Sequence, residues 1–347
     1  MHGRPQGVPE GSAARSPRCQ GFAEPMIRAP FRLGLVGVGR WGRTVLAVVS
    51  RTAGIEMGAV VSRKPETRSR VGPTCRVVGS WQELLSMDLD GVWIATPPGA
   101  HCEATLGMIE AGVPVLVEKP VTLAVSEAEI LLAAARRRRG VVMVDHTQLH
   151  SPGVRALASA LEEERGTCPR AVRLVLRAGA FGPFREDVSV LWDWGSHDVA
   201  IALALLRRDY LRVEGAFVRT YPMKGPGRAE TWMLELRDDE ADVSVSIRLS
   251  NVLPEKERVV HLFASGSSWS YTEYPVPSAV RWRCGEEPMN LGPLRRRPLD
   301  VVLERFVAAA REGIGGDHDL VLARGVVRIL ERAEALAPRL PGTLPRR

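Results

Sequence analysis

Asp193 and His197 stand four residues apart in the stretch Trp192-Asp193-Trp194-Gly195-Ser196-His197-Asp198, a spacing that puts both on one face of a helix. A carboxylate one turn from an imidazole can fix its tautomer and support its protonated form. That is the arrangement a proton-exchanging group near neutral pH uses. Lys119 closes the apolar run Pro114-Val115-Leu116-Val117 in Glu118-Lys119-Pro120. Taken singly, a histidine near a helix start is more often structural, and a lysine at a strand end is usually a surface charge. The elements around them decide between the readings.

Phe31 to Val49 reads strand, glycine turn, helix. Leu33 to Val36 is a buried strand by its apolar run, Gly37-Val38-Gly39-Arg40-Trp41-Gly42 is a G-x-G-x-x-G turn, and Thr44 to Val49 continues as an apolar helix. In such a turn Gly37 permits the tight bend, Gly39 lets backbone approach a pyrophosphate and Gly42 lets the helix pack close to the strand. The helix N-terminus then faces the phosphates with its free N–H groups. The strand Ile55 to Ser62 follows, and an acid is expected at its end to hold the ribose hydroxyls of NAD. Ser62-Arg63-Lys64 stands there instead. A hydroxyl and two cations suit a 2′-phosphate, which favours NADP(H) over NAD(H).

The βα alternation continues. A short strand near Val77 leads to Ser80, an N-cap candidate with Glu83 three residues on, opening the helix SWQELLSM. The strand Gly91 to Ala95 ends in Thr96-Pro97-Pro98-Gly99-Ala100-His101. A helix from Glu103 to Ala111, the strand closing on Glu118-Lys119-Pro120, a helix from Ser126 to Arg139 and a strand from Val141 to Val144 complete a doubly wound parallel α/β sheet. Ligands of such sheets lie outside the strands' carboxyl ends, where Thr96 to His101 and Glu118 to Pro120 fall. Beyond His146 one helix, Val154 to Glu164, is followed by alternating segments near 171–176, 213–220, 231–236, 243–249 and 259–263, with a turn at 237–240. These predict an α+β domain with an open, largely antiparallel mixed sheet. Helices near 299–312 and 320–336 end the chain, the second with Asp319 as N-cap candidate. The expected division is a disordered extension over 1–30, a dinucleotide domain over 31–148, a substrate and oligomerisation domain over 149–338, and a flexible tail over 339–347.

Composition narrows the classes. The chain has 347 residues, 45% of them hydrophobic, enough for a substantial core. No apolar run approaches the roughly 20 residues of a membrane helix. The first thirty residues lack the apolar core of a secretory signal, and Met26 offers an alternative start. Five scattered cysteines (Cys19, Cys75, Cys102, Cys168, Cys284) form no C-x-x-C pair, which fits a reducing cytoplasm and no metal site. The net charge of +7 rests almost wholly on arginine, since lysine occurs only at 64, 119, 224 and 256. Arg136 to Arg139 suit a helix C-terminus, and no aromatic interleaving accompanies the charge, so a nucleic-acid partner is not expected.

Together the pieces GVGRWG, ATPPGAH, EKP and D-x-G-x-H, in this order and at this spacing, make the chain resemble the glucose–fructose oxidoreductase / inositol dehydrogenase / MocA (Gfo/Idh/MocA) family from Phe31 to about Leu336. The resemblance implies a Rossmann domain followed by an α/β domain whose open sheet pairs subunits into homodimers or homotetramers. It also implies a nicotinamide cofactor and a sugar, sugar-nucleotide or cyclitol substrate. Lys119 matches the family's lysine beside the reacting carbinol, Pro120 a proline often preceded by a cis bond, His197 the residue usually assigned proton transfer and Asp193 its accompanying acid. The expected cofactor contacts are Gly37, Gly39, Arg40, Trp41, Gly42, Ser62, Arg63, Lys64, Thr96, Pro97, Pro98, His101, Glu118 and Lys119. Arg185, Asp187, Trp194 and Asp198 are candidates for the polyol pocket. The stretch R-x-D-V-x-V-L-W-D over 185–193 looks most like members acting on nucleotide-linked sugars, whereas His150-Ser151-Pro152 departs from the Tyr-Asn-Pro common in that subgroup.

The chemistry expected is hydride exchange between nicotinamide and a secondary alcohol or ketone, with His197 as general acid/base and Lys119 stabilising the oxygen. Two alternatives use the same scaffold: glycoside cleavage with retained NAD and no net redox, and a ligand sensor without catalysis.

Overall fold

The computed structural model describes residues 29–165, 171–264, 267–275, 277–283, 289–290 and 297–341. Most of the expected N-terminal extension, the tail beyond Pro341, and Cys19, Cys168 and Cys284 lie outside the described residues.

The first half alternates β1 (Phe31–Val36), α1 (Arg40–Val49), β2 (Ile55–Val61), β3 (Arg76–Val78), β4 (Gly91–Ile94), α2 (His101–Glu110), β5 (Val115–Glu118), α3 (Val125–Arg138) and β6 (Val142–Asp145). All six strands are parallel, in the order β3-β2-β1-β4-β5-β6. The order reverses at β1, so the crevice beyond β1 and β4 is the place where such a sheet receives a ligand. β4, β5 and β6 are buried along their whole length, which explains their uninterrupted apolar runs.

The second half runs α4 (Pro152–Arg165), β7 (Ala171–Phe181), α5 (Val190–Asp193), α6 (Gly195–Leu206), β8 (Arg212–Tyr221), β9 (Ala229–Asp238), β10 (Asp242–Ser250), β11 (Val252–Ala264), β12 (Ser267–Thr272), β13 (Ser278–Arg283), β14 (Met289–Asn290), α7 (Pro298–Glu312), α8 (His318–Leu336) and β15 (Arg339–Pro341). Its sheet has the order β14-β13-β12-β11-β7-β10-β9-β8-β15: seven full strands with two short ones at the edges. β7 and β10 pair in parallel, as do β8 and β15, and the other neighbours are antiparallel. The sheet is therefore mixed and mostly antiparallel. Helices α4, α5, α6 and α8 pack on one face, while Phe217 and its cross-strand partner Met233 are exposed, as is Phe263.

Several local expectations shift. Ser80 caps no α-helix: residues 82–86 form a 3₁₀ turn, and the carboxylate of Glu83 accepts the backbone N–H groups of Gly79 and Ser80 at 3.1 and 2.9 Å. This is the reaching-back half of a capping box. Asp317, not Asp319, precedes the last helix. The β9–β10 turn spans 239–241, shorter and later than the expected 237–240, and is closed by Asp238 Oδ1 accepting from Glu240 N at 2.9 Å. Arg339–Pro341 pairs with β8 instead of fraying at 339.

Helix α7 follows the second sheet in the chain but returns to the first. Its Leu299, Val302, Leu303 and Phe306 are buried with Phe31, Leu33, Leu35 and Trp93 in one core. Phe31 and Phe306 meet edge-on with ring centroids 6.0 Å apart. An amphipathic helix records which of its faces is apolar, not which sheet that face will cover. α8 packs on both α3 and α6 and so sits across the two halves.

Candidate active site

The glycine turn begins the site. Gly37 has φ of 99°, and a Cβ there would lie 2.8 Å from the carbonyl oxygen of Ala95, so only glycine lets β1 and β4 end this close. A Cβ on Gly42 would strike the carbonyl of Gly37, whereas around Gly39 the space is open. The turn thus exposes bare backbone where α1 starts, and the first turn of α1 has no acid. That is a cradle fitted to an anionic dinucleotide. At the end of β2, Ser62 Oγ contacts Thr67 Oγ1 at 2.7 Å and receives the N–H of Lys64 at 3.2 Å. Arg63 and Lys64 themselves are exposed.

Thr96 to His101 and Glu118 to Pro120 come together through His101. Its ring lies between two main-chain carbonyls, Nδ1 at 2.8 Å from Pro120 O and Nε2 at 2.8 Å from Thr96 O. His101 is completely buried, and its ring braces the loops after β4 and β5. Burial lowers its pKa, against the opposing pull of the Pro120 and Thr96 carbonyls. The Lys119–Pro120 bond is cis.

Lys119 crosses to the second half. Its Nζ donates to the carbonyl oxygen of Asp193 at 2.7 Å and to Asp193 Oδ1 at 3.1 Å. Asp193 Oδ1 also accepts from Arg185 Nη1 at 3.2 Å, and Arg185 forms a fork with Asp187 at 2.9 and 2.5 Å. Two other acids anchor the short α5 that carries Asp193. Glu230 accepts Val190 N at 3.3 Å, and Glu334 accepts the Trp192 indole at 2.9 Å.

Asp193 does not serve His197 as the spacing suggests. Trp194 lies between α5 and α6, so the two residues belong to separate helices, and Asp193 is taken by Lys119 and Arg185. His197 is half-buried, its Nδ1 has no hydrogen-bond partner among the described residues, and its pKa lies well below the usual imidazole value. Desolvation is the largest cause, followed by the charges of Lys119 and Arg258. Burial and the neighbouring cations therefore favour the neutral imidazole, and Asp193 does not offset them.

Asp198 is fully buried and receives Arg258 Nη1 at 2.5 Å, which anchors α6 to β11. Burial pushes its carboxyl up to about 6 against the opposing pull of Arg258. Trp194 is half-buried beside Asp193, and Asp187 reaches the site only through Arg185.

Three participants escape the spacing argument. His146, directly after β6, is buried with neither ring nitrogen partnered among the described residues. Asp145 lies beside Glu118 in register. Arg258 is far from the site in sequence. The first two end a strand of the parallel sheet, so the strand-end rule that flags Lys119 applies to them equally.

Residues 31–146 match the profile of an oxidoreductase family with an NAD-binding Rossmann fold, GFO_IDH_MocA. The chain is 28% identical over 235 residues to a UDP-N-acetylglucosamine 3-dehydrogenase of Acidithiobacillus ferrooxidans, covering 67% of this chain and 71% of that protein. It is 34% identical over 168 residues to a dTDP-3,4-didehydro-2,6-dideoxy-alpha-D-glucose 3-reductase of Saccharopolyspora spinosa, covering 47% of this chain and 46%, about half, of that protein. A crystal structure of a candidate oxidoreductase from Magnetospirillum magnetotacticum superposes with a TM-score of 0.72 at 30% identity, covering 87% of this chain and 99% of that one. No helix among the described residues is long and apolar enough to cross a membrane.

Proposed function

We propose that the chain is a Gfo/Idh/MocA oxidoreductase that exchanges a hydride between NADP(H) and a ring carbon of a nucleotide-linked sugar. The observation that carries this reading is the meeting of Lys119 with Asp193 beside the neutral His197, outside the strand ends that also hold the glycine turn.

Gly37, Gly39, Arg40, Trp41 and Gly42 would hold the pyrophosphate side of the cofactor, and Ser62, Arg63 and Lys64 its 2′-phosphate. When bound, the nicotinamide supplies the hydride acceptor or donor. His197, neutral and half-buried, takes the proton of the substrate hydroxyl in oxidation and returns it in reduction. Lys119, oriented by the two oxygens of Asp193, places its positive charge where the reacting oxygen becomes anionic. Arg185, positioned by Asp187 and Asp193, supplies a cation for an anionic substrate group. The dehydrogenase and reductase among the relatives both act at a sugar 3-position by name, which supports a 3-hydroxyl or 3-keto group as the reacting centre.

We also infer a homo-oligomer formed through the second sheet. Phe217, Met233 and Phe263 on its exposed face support this, since monomers rarely leave such a surface uncovered. The free Cys75 and Cys102 suit a reducing cytoplasm.

The test is a fluorescence titration with NADPH, NADH, NADP and NAD, followed by turnover with nucleotide-linked hexoses and their 3-keto forms. Preference for the phosphorylated cofactors, lost on Arg63→Ala with Lys64→Ala, and turnover of nucleotide-linked but not free sugars are expected. Failure to bind any of the four would overturn the reading. Turnover without net change in cofactor would favour glycoside cleavage, and tight cofactor binding without turnover a sensor.

A further inference from the structure

Glu118 and Asp145 end the neighbouring strands β5 and β6 as register partners. Both are buried, at 6% and 0% exposure, and as register partners on adjacent parallel strands they carry their carboxyls side by side, near enough for each to act on the other's titration. Two ionised carboxylates so placed out of water repel, and a hydrogen bond between them needs a proton on one. The other contacts of the pair are all donors: the indole N–H groups of Trp41 and of Trp93, the latter at 3.2 Å, both reach Glu118 Oε1, and the Thr147 hydroxyl reaches Asp145 Oδ1. Asp145 Oδ2 is buried with no hydrogen-bond partner among the described residues. Desolvation, joined for Glu118 by the charge of Asp145, raises the carboxyl pKa of both.

The placement matters because the pair touches both the glycine turn and the strand end that leads into Lys119. Trp41 is part of the glycine turn and lies in the first turn of α1, 40% exposed. Glu118 is followed directly by Lys119, whose cation acts on both carboxyls, and His146 follows Asp145. The Trp41–Glu118 hydrogen bond is thus a direct link from the dinucleotide turn to the strand end that carries the lysine.

We propose that Glu118 and Asp145 share one proton and form a positioning pair, Asp145 holding Glu118 as the acceptor that fixes Trp41 against the strand end bearing Lys119. The pair carries one buried negative charge beneath Lys119, not two. Its effect on turnover rests on the oxidoreductase reading; the shared proton does not.

The first test uses the protein without cofactor. Infrared difference spectra at pH 7 between the wild type and Asp145→Asn or Glu118→Gln are expected to show a protonated-carboxyl C=O band in the wild type that either substitution removes. Circular dichroism checks that each variant folds. A wild type with no such band overturns the shared proton. The second test reads NADPH affinity. Trp41→Phe and Glu118→Ala are each expected to weaken it about tenfold, the loss of one hydrogen bond to a charged group, and Glu118→Gln, whose amide oxygen still accepts both indoles, to lose less. Unchanged affinity and kcat in both Trp41→Phe and Glu118→Ala would overturn the link. A wild type that binds no nicotinamide nucleotide would overturn the oxidoreductase reading, with the infrared band still deciding the pair.

Discussion

Lys119 and Asp193 are joined twice, Nζ to the main-chain carbonyl at 2.7 Å and to the carboxylate at 3.1 Å. One residue directly follows a strand of the parallel sheet and the other ends the helix that leads into α6. The two contacts fix the ammonium between the halves of the molecule. Lys119→Met is expected to lower kcat by about 10²–10³-fold, the usual scale for removing one charge-stabilising donor. NADPH affinity is expected to change little, because the phosphate cradle lies on β1, α1 and β2. Steady-state kinetics beside a fluorescence titration checks both. A loss of affinity matched by an unchanged kcat would make Lys119 a binding residue only.

His197 titrates below the ordinary imidazole value because burial and the charges of Lys119 and Arg258 oppose its protonation. For alcohol oxidation, kcat/KM is expected to be constant near neutral pH and to fall toward acid as the base becomes protonated. The midpoint should lie below the 6.5 of a free imidazole. In Lys119→Met one of the opposing charges is gone, so the acid limb moves to higher pH in whatever activity remains. A limb unmoved by that substitution would assign it to another group.

His146 is buried and its pKa is lowered to about 4, chiefly by desolvation. Its folded-state value lies below its unfolded one, so the unfolded chain binds the extra proton between these values. Stability then falls as pH drops from about 6.5 through 4. At about 1.4 kcal/mol per unit, this one group accounts for at most about 3.5 kcal/mol of acid lability. Urea denaturation at pH 7 and pH 4.5 is expected to show a smaller loss for His146→Gln than for the wild type. Equal losses would place the acid sensitivity elsewhere.

Arg258 and Asp198 form an ion pair with side chains 9% and 0% exposed. Removing one partner leaves an uncompensated buried charge, at a cost of about 3–5 kcal/mol. Arg258→Met is therefore expected to lower the urea midpoint strongly. The destabilisation should grow as pH rises, because Asp198, already pushed up to about 6, must ionise without its partner. The double variant with Asp198→Asn should recover much of the loss. A double variant no more stable than Arg258→Met alone would show that the arginine acts through packing.

Much of this arrangement can be read from the chain. The strand, turn and helix of 31–49, the six-strand alternation, and the positions of Lys119 and His197 follow from periods of 2 and 3.6 residues and from glycines whose neighbours leave no room for a Cβ. Each is a short-range constraint, written in adjacent residues. What the sequence leaves open is which distant partner each side chain meets. The four-residue spacing of Asp193 and His197 was a sound helical inference, yet the helix breaks at Trp194 and the carboxylate goes to Lys119, 74 residues away. The partner of Asp198 is Arg258, brought by β11, and α7 looks like part of the second half until Phe306 packs on Phe31. Glu118 and Asp145 become a pair only because β5 and β6 align in that register. The sequence by itself determined most of the elements and which side chains are candidates for the chemistry. The tertiary structure alone decided their partners, and with them their charge states, because desolvation and Coulomb interactions depend on distances in space that no local pattern encodes.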